Sequence, residues 1–493
     1  MSKHTRFLPR IMIVAIATAT AVLCVALSAR NAKAQGGSNP PWFPSLMAFE
    51  HYDSGRTKLF EQANFTGSFT RNNAVDVRIS PDDFPTPYNT VYLSGNSLFI
   101  FGGAYGNEPG GTGSFVARVD ANTLKTVWFN KLIIIQGNEW NYPGVLSALK
   151  DGFLYLIYGY RLAKLDPRDG RVVDQIQLPV PQGWAPGNTS YNGLTALPDG
   201  TLVAKSVYRE AGCPEQGFDA FTKCPNPLNV PNSLLVAIDP RTLEIIDQVE
   251  APQFIGGRIS ATEFENKFYV YSPGQTTIFR YIYEDRQLKL DASWNPGTVV
   301  LAGQTGPTAP AVMNDWIITA TNSVAAATSL SVIAINQADA SRQFSIQPFA
   351  AAGAAKSWSP SAVTVDPRQN RIYSLDGIAG LIAALDLRDD GFHPVWTAPQ
   401  LTIEFLALIG PQNRRVLVGT DVPSGQQPGS NTNDYVVWRN ADTGEELARS
   451  QLLTAVNGGT MVEPAYAGRM YFLAENGKII ELTVRPDNSG KKK

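Results

Sequence analysis

The stretch Val116-Ala-Arg-Val-Asp-Ala-Asn-Thr-Leu-Lys-Thr-Val-Trp128 decides the fold, because its pattern recurs along the chain. Each copy is an apolar strand that ends in Asp or Asn, followed by a polar turn and a second strand. The Asp or Asn side chain can accept hydrogen bonds from N–H groups of the turn that follows it. The pattern therefore predicts the third strand, the turn and the outer strand of a repeated sheet. The further copies are Leu162–Arg171, Val236–Glu244, Ala384–Gly391 and Val437–Glu445.

A second, tighter type of turn recurs about every 50 residues. Its residues tolerate the positive φ that two-residue hairpins need, and short apolar or aromatic strands such as Phe268–Tyr271 flank it. The eight turns are Gly95-Asn96, Asp151-Gly152, Asp199-Gly200, Glu265-Asn266, Asn314-Asp315, Gln369-Asn370, Gln412-Asn413 and Ala467-Gly468. They predict an all-β protein, an eight-bladed β-propeller with four strands in each blade.

Seven blades are the alternative, because the first and last repeat units are the least regular. The last unit ends at Ile479–Val484, which leaves too little chain for a fourth strand. A strand from the N-terminal part, within Ala74–Ile79, is therefore predicted to complete the last blade and close the ring.

The repeats resemble the PQQ-like repeats of quinoprotein dehydrogenases and of outer-membrane assembly propellers, whose turns read A-x-D-x-x-T-G-x-x-W. They are also similar to bacterial YVTN-type repeats. Leu124 and Leu243 stand where the pattern has Gly, and Trp128 and Trp396 keep the closing Trp. The resemblance implies the propeller fold over nearly the whole mature chain. It does not carry over the active site of the family, because the chain has no adjacent cysteine pair and no C-x-x-C-H haem site.

The N-terminal residues match a bacterial export signal. Lys3, Arg6 and Arg10 precede the apolar run Ile11–Leu27, and Ala32-Lys33-Ala34 predicts cleavage before Gln35. A retained membrane anchor is the alternative. Cleavage would leave no further apolar span, so we expect a periplasmic or secreted protein, monomeric in solution. We divide the chain into a signal peptide (1–34), a leader (35–73), the propeller (74–487) and a disordered tail (488–493).

Charge and cysteine content narrow the classes of partner. The net charge of −2 and the lack of a basic run outside the tail argue against nucleic acid. Cys213 and Cys224 are the two cysteines of the mature chain, and in an oxidising compartment they are expected to form a disulfide that closes an insertion. Metal binding is the alternative, but no further Cys or His lies nearby.

The entry to each innermost strand is expected to line the central channel of a propeller. These positions predict a pocket for a small polar or anionic ligand, with Arg258 and Lys356 as anion-binding groups. Packing or salt bridging within the channel is the alternative for each residue. The predicted ligand-binding residues are Trp140, Asn141, Tyr191, Asn192, Arg258, Lys356 and Trp358.

Catalytic patterns are sparse. His51 in the leader and His393 in an outer turn are the histidines of the mature chain, so a His-ligated metal centre or a Ser/His/Asp triad is not expected. Glu139 and Glu404, with Arg258, are the candidate catalytic residues of a lyase or hydrolase. A quinoprotein-like dehydrogenase with PQQ and Ca²⁺ is a further alternative, in which Glu139 with Asn141 or Asn192 would hold the cation.

The leading hypothesis is an exported propeller that binds a small molecule or another extracytoplasmic protein. The PQQ-dependent oxidoreductase and the carboxylate-based lyase or hydrolase are the two enzymatic alternatives.

Overall fold

The computed structural model describes residues 41–70, 72–103, 114–132, 139–140, 142–323, 328–352, 362–426, 433–456 and 459–487. Within these ranges the strands form eight sheets, each built around an antiparallel meander of four strands, and consecutive sheets contact one another in a closed ring. The predicted fold, an all-β propeller of eight blades, is confirmed.

The first four blades follow one another along the chain. Blade 1 contains β3 (Pro87–Ser94), β4 (Ser97–Gly102), β5 (Phe115–Asp120) and β6 (Thr126–Lys131). Blade 2 contains β7 (Val145–Ala148), β8 (Leu154–Tyr158), β9 (Arg161–Leu165) and β10 (Val172–Gln177). Blade 3 contains β11 (Thr189–Ala196), β12 (Leu202–Tyr208), β13 (Leu234–Ile238) and β14 (Ile245–Glu250). Blade 4 contains β15 (Ser260–Phe264), β16 (Lys267–Pro273), β17 (Ile278–Glu284) and β18 (Gln287–Leu290).

The remaining blades use the C-terminal half and two strands from the leader. Blade 5 contains β19 (Ala311–Met313), β20 (Trp316–Ala320), β21 (Val332–Asn336) and β22 (Gln343–Ile346). Blade 6 contains β23 (Thr364–Asp366), β24 (Arg371–Asp376), β25 (Leu381–Arg388) and β26 (Gly391–Pro399). Blade 7 contains β27 (Ala407–Ile409), β28 (Val416–Asp421), β29 (Tyr435–Asn440) and β30 (Glu446–Arg449), with β1 (Leu59–Phe60) added on its inner edge. Blade 8 contains β31 (Glu463–Pro464), β32 (Arg469–Leu473), β33 (Ile479–Pro486) and β2 (Asn73–Ile79).

An N-terminal strand closes the ring, as the sequence predicts. Strand β2 pairs antiparallel with β33 from Asn73 opposite Pro486 to Ile79 opposite Ile480, and so becomes the outer strand of blade 8. All eight predicted tight turns join the first and second strands of their blades. We call the face with these turns the turn face. The opposite face carries the connections from second to third strands and from blade to blade, and we call it the connection face.

The turn between the third and fourth strands docks a blade onto the blade before it in blades 2, 5 and 7. The indole N–H of Trp128 in blade 1 donates to the Pro167 carbonyl of blade 2 at 3.3 Å, and that of Trp396 in blade 6 donates to the Ala441 carbonyl of blade 7 at 2.9 Å. Trp294 makes the same kind of bond to Asn336 of blade 5 at 2.9 Å, although its surrounding sequence does not match the repeat. The pattern that predicts blades therefore also joins them.

The hydrophobic core lies between adjacent blades and continues around the ring. The second and third strands are almost entirely buried, whereas outer strands such as β6 alternate partly buried and exposed residues. One short α-helix, Asp219–Thr222, and 3-10 turns at Pro186–Asn188, Ala350–Ala352, Gln412–Arg414 and Tyr466–Gly468 complete the regular structure of the described ranges. In the part of the chain that the structure describes, no helix has the length and apolarity needed to cross a membrane.

Candidate functional site

The central channel holds a segment of the protein itself, residues 41–60, which we call the axial segment. The Pro41 carbonyl accepts from the N–H of Lys150 in the first turn of blade 2, so this end lies at the turn face. The other end leaves at the same face, where Glu61 pairs with Arg368 and Arg415 at 2.6 and 2.7 Å. The axial segment therefore enters and leaves the channel through one opening.

Backbone hydrogen bonds tie the axial segment to the innermost strands. Six of their N–H groups, from six blades, donate to axial-segment carbonyls at 2.7–3.1 Å. In a propeller these groups border the channel and need an acceptor. The donors are Tyr92, Ala148, Ala261, Val312, Val365 and Leu408.

The backbone of the axial segment is strained. His51, Tyr52, Arg56 and Lys58 all have φ between 55° and 82°, the left-handed region that costs non-glycine residues about 1 kcal/mol or more each. Strain of this kind persists only where the surrounding contacts impose it. Contacts with the innermost strands and hydrogen bonds within the segment, such as that from the Lys58 N–H to the His51 carbonyl at 3.1 Å, hold this conformation.

A buried ionic network lies at the deep end of the axial segment. One carboxylate oxygen of Glu50 accepts from the Arg56 guanidinium at 2.7 Å and from the Arg258 guanidinium at 2.6 Å. Arg56 also donates to the carbonyls of Ile259 and Leu194, at 2.6 and 3.2 Å. Both guanidinium groups are therefore paired inside the fold, which a buried charge requires.

Burial shifts the pKa values of two further titratable groups of the axial segment. Burial raises the pKa of Asp53 to about 6, although Thr57 donates to its carboxylate through both its backbone N–H and its hydroxyl. Burial, with the nearby Arg56, lowers the pKa of Lys58 to about 7. The ammonium group of Lys58 donates to the Val363 carbonyl at 2.7 Å.

Three predicted site residues belong to this network or border it. Arg258 donates to the Tyr88 hydroxyl at 2.7 Å and to the Asn192 carbonyl. The Asn192 side chain accepts from the ammonium group of Lys205 at 2.6 Å. Glu404 accepts from the Thr460 N–H at 2.7 Å, and burial raises its pKa well above the usual value. The structure thus brings Arg258 and Asn192 together.

Other predicted residues lie away from the network. Glu139 forms an ion pair with Arg161 at 2.8 Å in blade 2. Tyr191 is buried between blades and donates to the Pro179 carbonyl at 2.7 Å. The catalytic roles of Glu139, Glu404 and Arg258 remain predictions. Asn141, Lys356 and Trp358 lie outside the described residues.

Trp140 packs under an insertion on the connection face, residues 209–233. Cys213 and Cys224 form the expected disulfide in it, with a Cα–Cα distance of 5.8 Å. The Trp140 indole donates to the Gly217 carbonyl at 3.2 Å, and its ring meets Phe221 edge-on at 5.5 Å. Trp140 is thus an anchor for the insertion.

The described residues do not fit the PQQ and Ca²⁺ that the resemblance to quinoprotein dehydrogenases implies. Within the described ranges the axis is filled by the axial segment. Of the oxygen atoms proposed for a cation, those of Glu139 pair with Arg161 and that of Asn192 accepts from Lys205, whereas Asn141 lies outside the described residues. The same ranges hold no cluster of three or more His, Cys, Asp or Glu side chains suited to a metal ion.

Only a weak sequence signal points to the central residues of this network. Glu50, Arg56 and Lys58 precede the first repeat, so the repeat pattern does not point to them. Six ionisable residues between position 50 and position 58, flanked by Phe49 and Phe60, could have indicated a buried charged segment. His51, expected in the leader, lies at the axis with its ring 4.0 Å from that of Phe405.

A cleft of about 590 Å³ lies at the turn face between blades 3 and 4. It forms where the turn after β17 is reduced to Asp285 and Arg286, so the long docking turn is missing. Acidic and basic side chains both line it, and Arg241 and Lys267 are among the basic ones. None of the predicted site residues borders this cleft.

Comparisons with solved structures agree with this architecture. The quinohemoprotein alcohol dehydrogenase from Comamonas testosteroni is similar over 91% of this chain and 81% of its own, with a TM-score of 0.54 and 11% identity. A europium-containing methanol dehydrogenase matches over 90% of this chain and 89% of its own, with a TM-score of 0.51 and 10% identity. BamB from Moraxella catarrhalis matches over 83% and 98%, with a TM-score of 0.49 and 12% identity.

No protein-family model matches the chain, and no curated protein matches it by sequence. The structural likeness is one of fold, since all these identities are low. The chain is an eight-bladed β-propeller whose fold is similar to that of quinoprotein dehydrogenases, and the resemblance stated from its repeats is confirmed at the level of the fold.

Proposed function

We propose that this protein is a non-catalytic, extracytoplasmic interaction platform that binds another protein through its connection face. The observation that carries the proposal is the occupation of the channel. The charged groups that could have served a ligand or a reaction, Glu50, Arg56 and Arg258, are paired with one another. A ligand would have to displace hydrogen bonds to six blades in order to enter.

The connection face supplies the candidate binding surface. The turn face has short turns, whereas the insertion 209–233 extends from the connection face and is closed by a disulfide. Two large apolar side chains of the insertion are exposed, Phe218 by 42% and Leu228 by 66%. Loops on a rigid scaffold are common binding sites, and a disulfide reduces the conformational entropy that such a loop loses on binding. The disulfide also supports an oxidising compartment.

Site-specific photo-crosslinking tests this proposal. A benzophenone side chain is placed at Phe218 or Leu228 in the full-length protein, expressed in its host. The matched control is Val173, which is 41% exposed on the outer strand β10. We expect the two insertion positions to give the same crosslinked partner and Val173 to give none. Identical patterns from all three positions would contradict a binding surface on the insertion.

A second experiment tests the enzymatic alternative. Purified protein is titrated with PQQ and Ca²⁺ while its absorbance, its thermal unfolding and dye reduction are recorded. We expect no saturable change in any of them, because the axial segment fills the channel. Binding in a one-to-one ratio would overturn the proposal and restore the oxidoreductase hypothesis.

A further inference from the structure

Blades of a propeller ordinarily contact only their two neighbours, so coupling around the ring passes from blade to blade. In this protein the axial segment adds direct contacts to all eight blades. Met47, Ala48, Ser54, Gly55, Thr57 and Lys58 accept from the innermost strands of blades 1, 2, 4, 5, 6 and 7. The Ser54 hydroxyl donates to the Ala196 carbonyl of blade 3 at 2.7 Å, and the Leu46 N–H donates to the Tyr466 hydroxyl of blade 8 at 2.8 Å.

We infer that the axial segment is a central pin that couples non-adjacent blades, so that the ring opens and closes as one cooperative unit. Parts of a protein form one cooperative unit when their contacts are lost in the same opening event. Loss of the axial segment from the channel would remove an acceptor from six blades at once. Loss of a contact between two neighbouring blades would affect those two blades directly and no others.

Glu50 holds the deep end of this pin. Its carboxylate joins Arg56 of the axial segment to Arg258, which precedes blade 4, and all three side chains are at least 92% buried. Removing its charge leaves two guanidinium groups without their anion, a change that is costly in a buried site. The strained residues His51 and Arg56 lie beside it, so the restraint that imposes their left-handed conformation is weakened as well.

The experiment is hydrogen exchange of the full-length protein, followed by mass spectrometry, in the wild type and in Glu50→Gln. The amides to follow are the six innermost-strand donors. We expect exchange in the strands of blades 1, 6 and 7 to rise by about tenfold or more, together with that in blade 4. Blades 6 and 7 do not neighbour blade 4, so a joint rise in blades 4, 6 and 7 points to a shared element. Blade 1 does not discriminate, because its Tyr88 hydroxyl accepts directly from Arg258.

A second, milder variant keeps the inference testable if Glu50→Gln does not fold. Thr57→Val keeps the shape of the side chain and removes the hydroxyl bond to Asp53, 2.8 Å long. It should raise exchange in the same blades by a smaller factor. The control is Asp76→Asn, which removes an exposed ion pair with Arg485 on the outer edge and should leave the innermost strands unchanged. A rise confined to blades 3, 4 and 5 in both variants would overturn the inference.

Discussion

Gly444 lies directly under the indole of Trp396, with the position of a Cβ atom at Gly444 only 2.7 Å from the ring. Gly444 also has a φ of 72°, which other residues adopt at a cost. Gly170 and Trp128 repeat this relationship at 2.5 Å. The glycine of the repeated turn therefore serves the docking of the tryptophan from the preceding blade.

The first prediction follows from this contact. Gly444→Ala should lower the free energy of unfolding by about 2–4 kcal/mol, because backbone strain and overpacking add. The matched control is Gly152→Ala, at a φ of 80° with no atom within 4 Å of the new Cβ, which should cost about 1 kcal/mol. Urea unfolding of both variants measures the difference. Equal costs would mean that the indole shifts without penalty.

The second prediction concerns Leu243, which occupies the same turn position with a φ of 55° and a buried side chain. Leu243→Gly relieves strain of about 1–2 kcal/mol, but it removes a core leucine worth about 2–5 kcal/mol. We therefore expect a net loss of about 1–3 kcal/mol in the free energy of unfolding. A gain in stability in urea unfolding would show that the left-handed conformation outweighs the packing.

The third prediction is a pH dependence caused by Lys58. Its pKa is about 7 in the folded protein and near 10.5 in the unfolded chain, so the unfolded chain binds more protons between these values. This group therefore makes the free energy of unfolding rise with pH from 7 to about 10.5, by an amount on the order of a few kcal/mol. The variant Lys58→Met should lack that contribution. The free energy of unfolding of both proteins is measured by urea unfolding from pH 7 to 10, and the two curves against pH should diverge. Parallel curves would contradict the lowered pKa of Lys58.

The fourth prediction concerns the disulfide. Its loop spans 11 residues of sequence separation, and closure of a loop of this size stabilises by about 2–3 kcal/mol. The double variant Cys213→Ala, Cys224→Ala should lose hydrogen-exchange protection in residues 209–233. The innermost strands should keep theirs, since the insertion lies outside the ring. Loss of protection in the innermost strands would show that the insertion supports the ring.

The fold could be predicted from the sequence to a large extent, because each blade repeats the same local chemistry. Asp120 illustrates this: its carboxylate accepts from the N–H groups of Asn122 and Thr123, as the turn pattern requires. Such bonds join residues two or three positions apart, so they can be identified from sequence alone. The same holds for the closing strand, which follows from counting strands.

The axial network could not be predicted in the same way. The pairing of Glu50 with Arg258 joins residues more than 200 positions apart, and neither belongs to the repeat. Its position before an innermost strand predicts that Arg258 is a channel residue, but nothing in the surrounding sequence indicates an internal partner. The insertion could be predicted in part. Its disulfide follows from the cysteine count, whereas the role of Trp140 as its anchor depends on packing that the sequence does not show.

Both ends of the axial segment leave at the turn face, so Pro41 and Glu61 lie on the same side of the propeller. The disulfide-closed insertion lies on the opposite face. A tag fused directly to Pro41 would therefore start on the face away from the insertion, and it would leave the proposed binding surface uncovered at its point of fusion.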